Sequence, residues 1–487
     1  MKSIFILEWQ KALGNRKNWF LVTLYLVLLL GFVLVNNQTF NDVRRQEALH
    51  VEVMRQNHEF VLSSYLRVPS SWGTWPNIED LPSYAFDGRT MVTAVRAFYD
   101  ERYIRMSDAL EYSYLLGAAM AQNDRQQELY AFHNFDVILR DLYVESLSIW
   151  AFNLGIPHRF SDGFDVPMNL HERVPFHQTR ADFSQHFIDN DILFIYESEM
   201  LGINYIYQAM RQLLPLAMLF IVFMAVSDVF NSDNQTGSYK FMLINPISRY
   251  RVFLAKLFSA FTIAAALLFV PLILVGLGVG IVNGFGPHNY PILVQEGSYA
   301  TLGPLPNNLG LDRQMGFFTG VHHHLTIYNI NFPTPFTSIG FAYVPEQIAL
   351  GLTPYSSHIR YSNFFIPHPD IIMASMLNVI LMAMPLFMLL VLVAVSVSAL
   401  LSVISQRGLV TMIASILIAS GVLFFPPPQA DLSILARLNP YLYTNPINIL
   451  NGLGSTTALT GVLVLLGWAV ALIVAGLFVF GRQDVKC

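Results

Sequence analysis

The chain has 487 residues, 54% of them hydrophobic and only 13% charged, with a mean hydropathy of +0.46. Soluble domains carry about 25% charged residues; here the apolar residues stand in long uninterrupted blocks, which excludes an ordinary water-soluble fold. A mild net charge of −5 goes with no expected nucleic-acid partner, and the single cysteine, Cys487, excludes a disulfide within the chain.

The blocks predict a membrane all-α protein with six transmembrane helices, each able to cross about 30 Å of hydrocarbon. Residues 1–18 read as an interfacial elbow helix. Phe5, Trp9 and Leu13 recur at helical spacing while Lys2, Glu8 and Lys11 point elsewhere. That pattern suits an apolar face in lipid with basic side chains toward the headgroups; a solvated tail is the plainer reading. Residues 19–36 form the first span, and 37–204 a large, mostly helical exterior domain. Within it Phe40–Leu66, Thr90–Leu116 and Gln126–Trp150 read as helices. The second span, 205–228, carries Arg211 at its outer edge and leads into a cytoplasmic segment, 229–251. A third span, 252–282, is followed by a second exterior segment, 283–370. This segment is rich in Gly, Pro, Asn and aromatics, which predicts loops and short strands. Spans four and five cover 371–404 and 408–425. Residues 426–458 read as an exterior or re-entrant stretch of short helices, and 459–481 as the sixth span before a cytoplasmic tail, 482–487.

The lysines set the orientation. Lys2, Lys11, Lys17, Lys240, Lys256 and Lys486 all fall on one side when six spans are threaded, as do Arg16, Arg249, Arg251, Arg407 and Arg482. Short loops enriched in Lys and Arg stay in the cytoplasm, so both termini are expected there, in the cell membrane of a bacterium. The exterior stretch 36–199 contains no lysine and carries an acidic excess of about eleven charges, which agrees.

Few residues promise chemistry. The spans hold no ionisable groups except Arg211 and Lys256, which are expected to snorkel from near the helix ends. Asn378, Ser375, Ser396 and Ser398 suit helix packing better than an ion path. His322-His323-His324 lacks metal-ligand spacing, His58-Glu59 and His171-Glu172 lack a second histidine, and no Ser nucleophile elbow is present. No catalytic, metal or cofactor-binding residue is therefore expected. No G-x-x-x-x-G-K-[ST] loop occurs, so ATP as an energy source would have to be bound by another subunit.

The cytoplasmic segment is the most informative. It runs from Asp228 and Phe230 through Asp233, Gly237 and Lys240 to Pro246-Ile247-Ser248-Arg249, with Lys256 following. An acidic-polar turn leads into a short amphipathic piece that Pro246 stops, and Ser248 is placed to cap the next helix. On physics alone it is equally a force-transmitting helix or a plain loop. The segment resembles the signature of ABC-2 type permeases, the membrane-spanning subunits of ABC exporters. The N-terminus agrees: Glu8, Trp9 and Lys11, with Arg16 and Lys17 before span one, resemble the entry helix of that family, and Leu438-Asn439-Pro440-Tyr441 is a looser echo. The resemblance implies a side-by-side dimer with a second copy or a paralogue, set in membrane lipid. It also implies a separate ABC ATPase subunit, carrying the Mg-ATP, docked on the elbow and coupling elements. A hydrophobic or amphipathic substrate follows as an expectation, a lipid-like molecule or an antimicrobial peptide. The alternative is a membrane sensor or resistance protein whose exterior domain binds a ligand without transport. The large exterior segments depart from the short loops of typical members.

Overall fold

A computed structural model of the chain describes residues 2–66, 88–151, 181, 184–195, 198–227, 229, 231, 248–295, 297–300, 371–405, 407–424, 437–451 and 456–482. It is mostly helical. The elements in order are α1 (Lys2–Gly14), α2 (Arg16–Leu66), α3 (Gly88–Gln122), α4 (Arg125–Ala151), α5 (Gly202–Gln208), a π-helical turn (Ala209–Leu213) and α6 (Leu214–Val226). After them come α7 (Arg249–Asn283), β1 (Pro291–Gln295), β2 (Ile371–Ser375), α8 (Met376–Ser405) and α9 (Gly408–Phe424). A 3-10 turn (Pro440–Tyr443), α10 (Pro446–Leu450) and α11 (Ala458–Arg482) are the last of the described elements. The histidine run 322–324, Cys487, and most of both exterior segments' connecting stretches lie outside the described residues.

Among the described residues four helices are long and apolar enough to cross a membrane: Arg16–Asp42 within α2, then α7, α8 and α11. Their exposed faces are themselves apolar. Phe20, Leu24, Val27 and Leu34 on α2, and Leu463, Val470, Val474 and Phe478 on α11, are all exposed. A water-soluble protein does not present such continuous stripes, whereas lipid solvates them. The other two expected spans are not long uninterrupted α-helices. Gly202–Val226 is helical throughout but divided by the π turn, and α9 has 17 residues, about 26 Å at 1.5 Å per residue.

Contacts divide the chain into two compact units. The first comprises Met1–Phe40, Ile195–His322 and Pro369–Cys487. Its centre is α8, which packs against α11, α9, α7 and α6. Of its apolar stretch 61% is buried, against 17% in α11. The fourth span begins later than expected, because Ile371–Ser375 is strand, not helix. It pairs antiparallel with β1, Pro291 opposite Ser375 and Gln295 opposite Ile371. Ser375 then accepts from the Asn378 backbone N–H at 3.3 Å, a side-chain cap that starts α8.

The second unit comprises Asn41–Phe194 and His323–His368. Its described core is the α3–α4 hairpin, where Leu116, Met120, Phe132 and Phe135 close on one another. Arg44 of α2 forms an ion pair with the buried Glu128 of α4 and donates to the Met120 carbonyl at 3.2 Å. One expected boundary disappears. The first span and the exterior helix from Phe40 are a single helix of 51 residues, because no Pro or Gly interrupts residues 32–66.

Candidate functional site

The local break between α1 and α2 is built by three side chains. Asn15 accepts the Lys17 backbone N–H at 2.9 Å and so caps α2. Asn18 and Trp19 reach back to α1, donating to the carbonyls of Ala12 (3.0 Å) and Leu13 (2.8 Å), two of the orphan acceptors at a helix C-terminus. The elbow is thereby fixed in angle by hydrogen bonds on both sides.

Along α1 the expected apolar stripe does not face lipid alone. Phe5 lies 5.6 Å from the Phe258 ring, and Trp9 Nε1 donates to Thr262 Oγ1 at 3.2 Å, so the helix packs along α7. Leu13 stays exposed. Glu8, read from spacing as lying off the buried face, is 5% exposed. Lys256, expected to snorkel, is 2% exposed. Each accounts for the other's position. The Lys256 ammonium stands 3.8 Å from Glu8 Oε1 and donates to the Val229 carbonyl at 3.2 Å, while Lys11 donates to the same carboxylate oxygen at 3.2 Å. A buried charge needs such partners because desolvation is otherwise prohibitive. Three chain segments meet here: the elbow helix, the first turns of α7, and the backbone just past α6.

Other ties surround this node. Ser248 is the backbone N-cap of α7, its carbonyl accepting from the N–H groups of Arg251 (2.9 Å) and Val252 (3.2 Å). Its hydroxyl makes no capping bond, contrary to the side-chain cap expected from sequence. Arg249 donates to the Gly481 carbonyl at 3.1 Å and so holds the end of α11, where Phe253 and Phe480 also meet at 5.6 Å. Asn231, buried to 1% exposure, ties the α6 exit to the α8–α9 turn. Its amide nitrogen donates to the Ser402 carbonyl at 2.8 Å and its oxygen accepts from the Gly408 N–H at 3.2 Å, in the orientation that satisfies both ends. That oxygen thereby serves the first turn of α9.

Of the residues singled out from sequence, Glu8 and Trp9 contact α7, and Lys11 joins them through Glu8. Lys17 takes part through its backbone, Arg16 is exposed, and Ser248 and Arg249 stand at the α7 start. Asp228, Phe230, Asp233, Gly237, Lys240, Pro246 and Ile247 lie outside the described residues. Sequence reading missed Asn231 as a tie and missed Lys256 as a buried partner of Glu8. The available signal was that a lysine seven residues into an apolar helix demands a nearby acid.

Beside the node an apolar groove of about 490 Å³ opens between α1, α7, α8 and α11, walled by Phe5, Leu254, Phe258, Phe261, Leu392 and Ile473. Toward the opposite ends of the helices the packing is of another kind. Gly276 and Gly280 of α7 let α5 approach so closely that a Cβ on Gly202 would stand 2.9 Å from the Gly280 Cα. This is the small-residue seam of membrane helix pairs. The π turn after α5 is accommodated by Asn445, which donates to the Arg211 carbonyl at 2.8 Å.

Apolar helices with exposed apolar stripes, glycine-seamed packing and a buried ion pair define a mostly helical membrane-embedded protein. Comparison takes the assignment no further: no family model, curated protein or solved structure matches the chain.

Proposed function

We propose that the chain is the membrane-spanning subunit of an ATP-driven exporter of the ABC-2 type. In this reading six helices span the cell membrane of a bacterium, with Gly202–Val226 and α9 joining the four longer helices. Both termini lie in the cytoplasm. The chain works with a second copy or a paralogue and with a separate ATPase that carries Mg-ATP.

The observation that supports this best is the Glu8–Lys256–Val229 node. A plain connecting loop has no need to bury an ion pair against a neighbouring amphipathic helix. A machine driven from the cytoplasm does need its entry helix and its α6–α7 connection to move as one body, and a buried pair with a backbone acceptor supplies that stiffness. ATPase closure would push both elements together and tilt α7, biasing two arrangements of the spans through differential docking contacts. The adjoining 490 Å³ groove, lined by apolar side chains, fits acyl or similarly hydrophobic cargo.

The test is co-purification. The chain, solubilised in mild detergent from its own host, should retain a separate subunit that is labelled by a photoreactive ATP analogue. Glu8→Gln should loosen that association while leaving the chain folded. Recovery of the intact chain with no nucleotide-binding partner, under conditions that preserve known membrane complexes, would overturn the reading.

A further inference from the structure

The α3–α4 hairpin carries a feature that transport coupling does not use. On one face, residues at helical spacing from both helices line a cavity of about 830 Å³, within the range of small-ligand sites. Asp108, Glu111 and Tyr112 come from α3, and Tyr130, Asn134 and Ile138 from α4. The Tyr112 and Tyr130 rings stand edge to face, centroids 6.4 Å apart at 65°, leaving a ring face turned from its neighbour. The two carboxylates stand on the same face one helical turn apart. Arg105, the basic residue a turn before Asp108, forms an ion pair with Asp141 at 3.4 Å. The six carboxylates between 108 and 141 face four arginines, Arg125 and Arg140 within that stretch and Arg44 and Arg105 paired with Glu128 and Asp141, so the local field stays mildly negative. The Tyr112 hydroxyl is held above its ordinary pKa, first by burial, then by Tyr130 and by the carboxylates of Glu111 and Asp108.

Aromatic faces attract cations through the ring quadrupole, and an apolar floor selects a cation that carries a hydrophobic body. A metal ion would find too few inward carboxylates, and an anion would be repelled. We propose that this cavity is a binding site for hydrophobic organic cations, quaternary or alkyl-substituted ammonium compounds. Asp108 and Glu111 supply the countercharge, Tyr112 and Tyr130 the cation–π contacts, and Ile138 part of the apolar floor. The site stands apart from the exporter reading, since binding here requires neither an ATPase nor movement of the spans.

The experiment titrates benzyltrimethylammonium into the full-length chain in lipid nanodiscs by calorimetry, with neutral neopentylbenzene as the isosteric control. Saturable binding of the cation is expected, with the neutral isostere at least about tenfold weaker. D108N/E111Q and Y112L/Y130L should each lose about tenfold in affinity. Y112F/Y130F, which keeps the ring faces, and D108E/E111D, which keeps the charge, should stay within about threefold. These two conservative variants preserve the hairpin surface, so a loss confined to the first pair is not a folding effect. Equal binding of the two probes, undiminished binding in D108N/E111Q, or no saturable binding at millimolar cation would each overturn the proposal. None of those results would bear on ATPase coupling, which is read by co-purification.

Discussion

Glu8 and Lys256 show how one buried charge dictates the position of another. Glu8→Gln removes the carboxylate from an ammonium that is 2% exposed and also donates to the Val229 carbonyl, and Lys256→Met removes one of the two cations beside the carboxylate. Breaking one partner of a buried pair costs about 3–5 kcal/mol, while replacing both by neutral groups of similar volume costs less. Each single variant should therefore unfold earlier in a denaturant titration in detergent, and Glu8→Gln with Lys256→Met should recover part of the loss. Additive losses in that double-mutant cycle would mean the pair is not coupled. Tyr443 makes a pH-dependent contribution of opposite chemistry. Burial pushes its hydroxyl up to about 12, and that hydroxyl donates to the Arg437 carbonyl at 2.9 Å. The folded state thus holds the proton more tightly than the unfolded chain, whose tyrosines ionise near 10. The stabilisation is complete below pH about 10 and lost as pH rises toward 12. Alkaline melting curves should fall over that window, and Tyr443→Phe should flatten the fall.

At the scale of elements, the α5–α7 seam depends on glycine for space rather than for backbone freedom. A Cβ at Gly202 would meet the Gly280 Cα at 2.9 Å and the Gly276 carbonyl oxygen at 3.1 Å, and neither backbone atom can swing aside. Gly202→Ala should destabilise by about 1–3 kcal/mol, through overpacking. Gly278, on the same helix, has nothing within 4 Å of its Cβ position. Gly278→Ala should then be neutral or stabilise by roughly 0.5–1 kcal/mol, as helix propensity dictates. The pair separates packing from propensity within one helix, with thermal unfolding in detergent as the readout. The Gly276-x-x-x-Gly280 spacing was not singled out from the sequence, and only the structure shows that α5 is the helix it receives. Likewise the Phe5, Trp9, Leu13 spacing identified an amphipathic helix. Periodicity cannot tell a face laid in lipid from one laid on α7, since both are apolar. The strand Ile371–Ser375 was read as the start of a span for the same reason: a short apolar run is ambiguous until its partner, β1, is known.

At the scale of the whole molecule, the charge distribution makes a prediction independent of any single contact. All six lysines and Cys487 are expected on the cytoplasmic side. A membrane-impermeant maleimide should label Cys487 in inverted vesicles and not in right-side-out ones, with Cys487→Ser as the blank. Labelling from the outside would reverse the orientation and remove the node from the reach of a cytoplasmic motor.

The sequence by itself determined that the chain is helical and lives in a bilayer, because hydrocarbon solvent demands long runs without charge and those runs are local in the chain. It also carried the apolar spacing of Phe5, Trp9 and Leu13 that marks α1 as a helix. Only the tertiary structure decided that Glu8 turns inward to Lys256, that Asn231 ties α6 to the start of α9, and that Asp108 and Tyr130 share one cavity. Such pairings join residues up to hundreds of positions apart. They are set by which helix faces meet, and lipid-facing and helix-facing apolar surfaces are written in the same residues.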